Sequence, residues 1–195
     1  MDRRDDNYYE AHAQTIILDT ITSSYENARI LRRLRRNDPS FTTLGIANSD
    51  NEYAVDDDDY LVDRGDDLGW LGYFVGQSNT LQSLYLSTKM IDNVIRFGVF
   101  IEGLNRNRSI ETLYICADLG SEYFRKMSDF FRSNNNLREL SFGSMDTSGL
   151  RAHVVLRSCL INANKVICGK FVLSKVMLAR KCLQRSSQQS VLIRN

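Results

Sequence analysis

The sequence predicts an α/β solenoid, with parallel strands stacked one per repeat and each strand returning through a helix. Three observations predict it. Leu81-Gln-Ser-Leu84-Tyr-Leu86, Ile110-Glu-Thr-Leu113-Tyr-Ile115 and Leu137-Arg-Glu-Leu140-Ser-Phe142 all read apolar-x-x-apolar-x-apolar. Their starts lie 29 and 27 residues apart, and a fixed period in the twenties marks a stacked repeat array. Each is preceded by one apolar residue and a run of polar or small residues: Val75 to Thr80, Leu104 to Ser109 and Phe131 to Asn136. Asn, Gly and Ser accept the turn conformations that a helix-to-strand connection needs.

The elements follow in order. Thr15-Ile-Ile-Leu18 is a candidate N-terminal capping strand, and Ser24 to Arg36 reads as a helix closed by a turn at Asp38 and Pro39. Phe41-Thr-Thr-Leu44-Gly-Ile46 repeats the strand pattern, but the next strand starts 40 residues later, which implies an insertion of about a dozen. That insertion, residues 50–67, holds nine acidic residues and one Arg, and it reads as a solvated loop because like charges at this density repel and stay hydrated. Leu68, Trp70, Leu71 and Phe74 open the next helix, with Asp66 and Asp67 suited to its N-terminus. Val94, Phe97, Ile101 and Leu104 have helical spacing, as do Tyr123, Phe124, Met127, Phe130 and Phe131. Val166-Ile-Cys-Gly169-Lys-Phe171 begins 29 residues after Leu137, with Gly169 at a core position; Leu156, Cys159, Ile161 and Asn164 form a rival register. The chain thus divides into an N-terminal segment 1–23, repeats over 24–172 with the insertion 50–67, and a basic segment 173–195 that reads as a capping helix or truncated repeat. Few repeats and an apolar end, Val191 to Ile193, would also suit a piece of a longer array.

On these strands the chain resembles the leucine-rich repeats, in particular the long, ribonuclease-inhibitor-like class, over roughly residues 24–172. That resemblance implies parallel strands on a concave face and helices on a convex face. The family's usual Asn or Cys, three positions after the last strand apolar, is replaced here by Lys89, Asp118 and Met145. The resemblance implies no one activity, because the fold hosts many. Some long-repeat relatives are GTPase-activating proteins, but no catalytic Arg or Asn can be matched here.

At 195 residues, 43% apolar and 25% charged, the chain can bury one core. The N-terminal stretch Met1-Asp-Arg-Arg-Asp-Asp lacks the apolar run of a signal peptide. The most apolar later stretch, residues 166–179, is short and carries Lys170 and Lys175, so no membrane span is expected. A cytoplasmic location follows, in which Cys116, Cys159, Cys168 and Cys182 are reduced thiols and Asn107-Arg-Ser109 stays unglycosylated.

The net charge of +1 conceals a division. All 24 acids lie in residues 1–146, whereas residues 147–195 hold nine basic residues and no acid. A nucleic-acid contact through 147–195 is an alternative, disfavoured because no aromatic residues interleave for base stacking. Asp56 to Asp59 with Asp63, Asp66 and Asp67 lack the alternating spacing, central Gly and closing Glu of an EF-hand, so no metal and no cofactor is expected. Arg64-Gly-Asp66 is a tripeptide that recurs by chance. His12 and His153 stand in unrelated contexts, and no nucleophile elbow, phosphate loop, zinc helix or dinucleotide fingerprint occurs, so no enzyme is expected.

Strand alternation points elsewhere. Residues between the buried positions face the other side of the sheet. One column is Thr43, Ser83, Thr112 and Glu139; the next is Gly45, Tyr85, Tyr114 and Ser141; the third is Ala47, Ser87, Cys116 and Gly143. Tyr85 and Tyr114 should be neighbours, with Arg138 beside them, and Tyr and Arg are the residues that most often carry interface energy. The expectation is a non-catalytic protein-interaction scaffold that binds an unidentified protein partner through Thr43, Ser83, Tyr85, Thr112, Tyr114, Arg138, Glu139 and Ser141. A small-GTPase regulator is the alternative.

Overall fold

Seven strands form one sheet, in a computed structural model that describes residues 6–22, 24–48, 59–63, 66–87, 94–116, 121–144, 171–175 and 191–192. The strands are β1 (Thr43–Asn48), β2 (Asp59–Val62), β3 (Ser83–Ser87), β4 (Thr112–Cys116), β5 (Glu139–Ser144), β6 (Phe171–Lys175) and β7 (Val191–Leu192). The helices are α1 (Asp6–His12), α2 (Tyr25–Arg35), α3 (Leu68–Gln77), α4 (Val94–Leu104) and α5 (Ser121–Ser133). The sheet order is β2-β1-β3-β4-β5-β6-β7. All neighbours run parallel except β6 and β7. The chain is therefore α/β with a mainly parallel sheet.

The repeat sets the register. Leu84 pairs with Leu44 and Leu113, and Leu113 with Leu140. These leucines are buried against Phe74, Phe97, Phe100, Ile101, Met127 and Phe130 of the helices. One face of the sheet is therefore covered by helices and carries the core. In β3 and β4 the residues between the buried ones, Ser83, Tyr85, Thr112 and Tyr114, stay partly exposed.

Each turn into a strand is built on a polar side chain three residues before the strand pattern. In the α4–β4 turn, buried Asn107 accepts from the Ser109 and Ile110 amides, both at 2.9 Å, through Oδ1. Its Nδ2 donates back to the Val75 and Ser78 carbonyls at 2.7 and 3.0 Å. Asn134 repeats this one turn later, accepting from Asn136 and Leu137 and donating to the Ile110 carbonyl. Ser78 accepts from the Leu81 amide. Asp38 accepts from the Ser40 amide and hydroxyl, which with Arg33 hold its carboxyl down at about 2. The family's ladder positions Lys89, Asp118 and Met145 lie outside the described residues. The polar ladder that the structure does contain stands before the strands. Asn37, with φ of 49°, ends α2 in the left-handed conformation that Asn tolerates, and its Oδ1 accepts from the Asn79 amide at 2.8 Å.

α3 is buried from Leu68 to Gly76, enclosed by α1, α2 and α4. It meets α4 backbone to backbone. A Cβ on Gly103 would lie 2.1 Å from the Gly72 carbonyl carbon, and one on Gly76 would lie 2.2 Å from the Gly103 carbonyl oxygen. On the other side, Tyr9 of α1 packs edge-on to Trp70 at 5.0 Å and donates its hydroxyl to the Asp67 carboxylate at 3.0 Å. Asp67 also caps α3 by accepting from the Gly69 amide.

Three sequence expectations are corrected by the structure. Residues 15–18 form no strand; Leu18 opens a short 3-10 turn, and the sheet edge beside β1 is taken by β2. The insertion is accordingly not wholly a solvated loop. Its apolar alternation buries Tyr60 and Val62, level with Ile46 and Asn48 of β1. Asp56 to Asp58, Arg64 and Gly65 lie outside the described residues. At the far end, Phe171 and Leu173 pair with Leu140 and Phe142, two residues beyond the expected register of Val166. A shift of two preserves the alternation of the strand, whose period is two; Gly169 lies outside the described residues. Of segment 173–195, expected as a capping helix or truncated repeat, residues 173–175 belong to β6 and 191–192 to β7, and the others lie outside the described residues. The rival register at 156–164 lies outside the described residues.

β2 is an edge strand, and its outer edge is closed by a side chain. Buried Asn27 of α2 donates Nδ2 to the Leu61 carbonyl at 2.6 Å and accepts the Leu61 amide on Oδ1 at 2.9 Å. One carboxamide thus replaces one rung of a missing strand, which blunts an edge otherwise open to another chain. Asn27→Leu is expected to cost about 3 kcal/mol, because the Leu61 N–H and C=O, both partly buried, lose their partner. Chemical denaturation of both proteins checks this, and equal midpoints would remove Asn27 from that role.

Asp66 sits beneath the same rung, almost fully buried, bonded to the Asp63 amide, Asn27, Thr22 and Tyr60. Burial pushes its carboxyl above the ordinary range, the nearby Asp63 charge adds to that, and the hydrogen bonds oppose it. Burial likewise raises the Tyr60 hydroxyl, which stays a neutral donor. The folded protein therefore binds the Asp66 proton more tightly than the unfolded chain. Its stabilising contribution is complete below the ordinary carboxylate value and is lost as pH rises through the raised folded value. The melting temperature of the parent, relative to Asp66→Asn, is expected to fall as pH rises above the ordinary carboxylate value. A difference that grows with pH would contradict this.

Candidate functional site

The face opposite the helices is ordered by the register of four strands. Thr43, Ser83, Thr112 and Glu139 form one row. Gly45, Tyr85, Tyr114 and Ser141 form the next. Ser87, Cys116 and Gly143 form the third, whereas Ala47 pairs across to Leu61 of β2. The Tyr85 and Tyr114 rings stand 5.8 Å apart between centroids and tilt by 38°. Thr43, Ser83 and Thr112 beside them are short and partly exposed.

The row has an end that the sequence does not reveal. Gly45 pairs with Asp59 on its outer side. A Cβ on Gly45 would fall 1.8 Å from Asp59 Oδ1. The Asp59 side chain therefore lies over Gly45, beside the tyrosine pair, and only the missing Cβ lets it. Any larger residue at this strand position would have to displace that carboxylate.

Arg138 lies outside β5, which starts at Glu139, and so outside the rows of the tyrosines. It stands one residue earlier, in line with Gln82 and Glu111, where the chain bonds turn to turn: the Glu111 amide donates to the Gln82 carbonyl at 2.8 Å and the Arg138 amide to the Glu111 carbonyl at 2.7 Å. Arg138 Nη1 lies 3.3 Å from Glu111 Oε2, with the arginine side chain 76% exposed. So Thr43, Ser83, Tyr85, Thr112, Tyr114, Glu139 and Ser141 share the rows expected, and Arg138 borders them. Glu111 and Gln82, absent from the sequence reading, occupy the same border. The signal for them was the second position of the strand pattern, which falls outside the strand proper.

Among the described residues, no group of three or more His, Cys, Asp or Glu is placed to hold a metal ion. His12 packs on Tyr8 at 4.5 Å, with Nδ1 2.7 Å from the Tyr8 carbonyl oxygen. His153 and most of the basic segment lie outside the described residues. No helix among the described residues is long and apolar enough to cross a membrane.

No family model matches the sequence, and no curated protein does. Among solved structures, the chain is similar to Leiomodin-1 Actin-Binding Site 2 (ABS2), at 14% identity and a TM-score of 0.37, over 70% of this chain and 91% of that one.

Proposed function

We propose that the protein is a non-catalytic, cytoplasmic scaffold of the leucine-rich-repeat type, which binds a protein partner through the helix-free face of its sheet. One observation carries the reading: two partly exposed tyrosines, ring beside ring on paired strands, with the short side chains of Thr43, Ser83 and Thr112 beside them. Aromatic rings held by a sheet lose little freedom on binding, and short neighbours leave room for a partner to reach both rings and their hydroxyls. The repeating strand pattern and its in-register pairing support the leucine-rich-repeat assignment. Affinity capture with the intact chain, read by mass spectrometry, supplies the partner. Tyr114→Ala is then expected to weaken binding by about 2 kcal/mol, roughly thirtyfold, and Tyr85→Ala with Tyr114→Ala to remove most of it. Stability should change much less, because neither ring belongs to the core. Undiminished affinity in the double variant would move the interface off this face.

A further inference from the structure

The turns entering β3, β4 and β5 enclose an open cleft of about 490 Å³ at the strand-start edge of the sheet. Gln77, Asn79, Gln82, Arg106, Arg108 and Glu111 are among its lining residues. We infer that this cleft binds a short acidic peptide segment, with Arg108 taking a carboxylate and the three side-chain amides taking main-chain groups. The inference rests on the reading of the protein as a protein-binding scaffold, but not on the tyrosine pair.

Charge comes first. Arg108 is exposed, and its Nη1 donates to the Asn105 and Asn107 carbonyls at 2.7 and 2.9 Å. Those bonds fix the guanidinium while Nε and Nη2 make no hydrogen bond among the described residues. A carboxylate could thus be met by a planar donor edge already held in place. Arg106 adds a second cation, its guanidinium 5.2 Å from the centre of the Tyr73 ring. The lining holds one acid, Glu111, whose carboxylate is already compensated by Arg138 at 3.3 Å. The cleft is therefore positive in sum.

Shape and hydrogen bonding select a peptide. Adjacent parallel strands lie about 4.8 Å apart, so three turns span about 10–14 Å, the length of three or four extended residues. The side chains of Gln77, Asn79 and Gln82 are exposed amides with no hydrogen-bond partner among the described residues. A primary amide offers both a donor and an acceptor, which matches the alternating C=O and N–H of a peptide. No aromatic ring lines the cleft, so a nucleobase would find nothing to stack on.

The test is a ¹⁵N-resolved NMR titration of the full chain with the probe acetyl-Gly-Glu-Asp-Glu-Asp-Gly-amide. Saturable shifts are expected at Asn79, Gln82, Arg108 and Glu111. Arg108→Gln should weaken binding about tenfold or more. Gln82→Glu, which sets a like charge in the cleft and breaks no hydrogen bond of the fold, should weaken it as well. Tyr114→Ala should leave it unchanged; loss of peptide binding there would move the site to the tyrosine face and overturn the inference. It is overturned equally if no saturable shift occurs, if both cleft variants bind as the parent does, or if the Gln/Asn version of the peptide binds as well. Inorganic phosphate giving the same shifts at equal ionic strength would replace the peptide by a simple anion.

Discussion

Gly103→Ala is expected to destabilise the protein by about 3 kcal/mol, whereas Gly98→Ala in the same helix is expected to stabilise it by about 0.5–1 kcal/mol. Both residues lie in α4, and no described glycine has positive φ, so backbone freedom does not separate them. What a methyl group would meet does separate them. At Gly103 it would strike the Gly72 carbonyl carbon at 2.1 Å and the Tyr73 amide nitrogen at 2.6 Å. No rotamer change relieves a clash with backbone, so α3 and α4 must part and the rings beneath them lose contacts. At Gly98 the nearest atom is Lys126 Nζ at 3.1 Å, the free-swinging end of a long side chain. There Ala gains its helix preference and stiffens the unfolded chain. Urea denaturation of the two variants is the measurement, and the same sign for both would refute the close packing of the helices.

The second large effect is expected at Leu113→Asp. Leu113 is fully buried at the middle of the sheet, between Leu84 and Leu140. A carboxylate there has no partner, and several kcal/mol of desolvation cost is enough to unfold a domain of ordinary stability. Ser83→Asp makes the comparison fair. It introduces the same side chain on the open face of the neighbouring strand, and about 1 kcal/mol is expected from strand preference alone. Loss of the folded circular dichroism signal in the first variant and its retention in the second are expected. If both unfold, or neither does, the faces have been assigned wrongly.

Legibility in the sequence followed periodicity. The helix expected from Ser24 to Arg36 is α2 with those two residues as its caps, because a polar cap, an apolar stripe and a turn residue all agreed there. The strands at Leu84, Leu113 and Leu140 were readable because three copies fixed one phase. β2 was hidden: four residues within an acidic run carry too little alternation to outweigh their charge, and their partner is set by tertiary contact. β6 was misplaced by two residues because equal spacing was assumed, whereas turn length can vary from one repeat to the next. On the open face, the tyrosine pair followed from alternation alone. Asp59 could not, since nothing local links it to Gly45, whereas Arg138, expected beside the pair, stands at the border of the rows because β5 begins at Glu139.

The turns have a direction. Donors in each turn reach the turn before it: Asn107 to Val75 and Ser78, Ser109 to Ser78 and Leu81, Asn134 to Ile110, Asn136 to Arg108, and the Gln82, Glu111 and Arg138 amides to Thr42, Gln82 and Glu111. The two ends of this stack are thus unequal. Peeling from the C-terminal side leaves carbonyls behind, and an under-satisfied carbonyl, with two lone pairs, is tolerated better than an orphaned N–H. Peeling from the N-terminal side leaves buried carboxamides and amides with nowhere to donate. Opening should therefore travel backward along the chain, with amide hydrogen exchange fastest near β5 and slowest near β1. During synthesis the asymmetry favours growth in the order of translation, because each new turn arrives carrying the donors that the preceding one awaits.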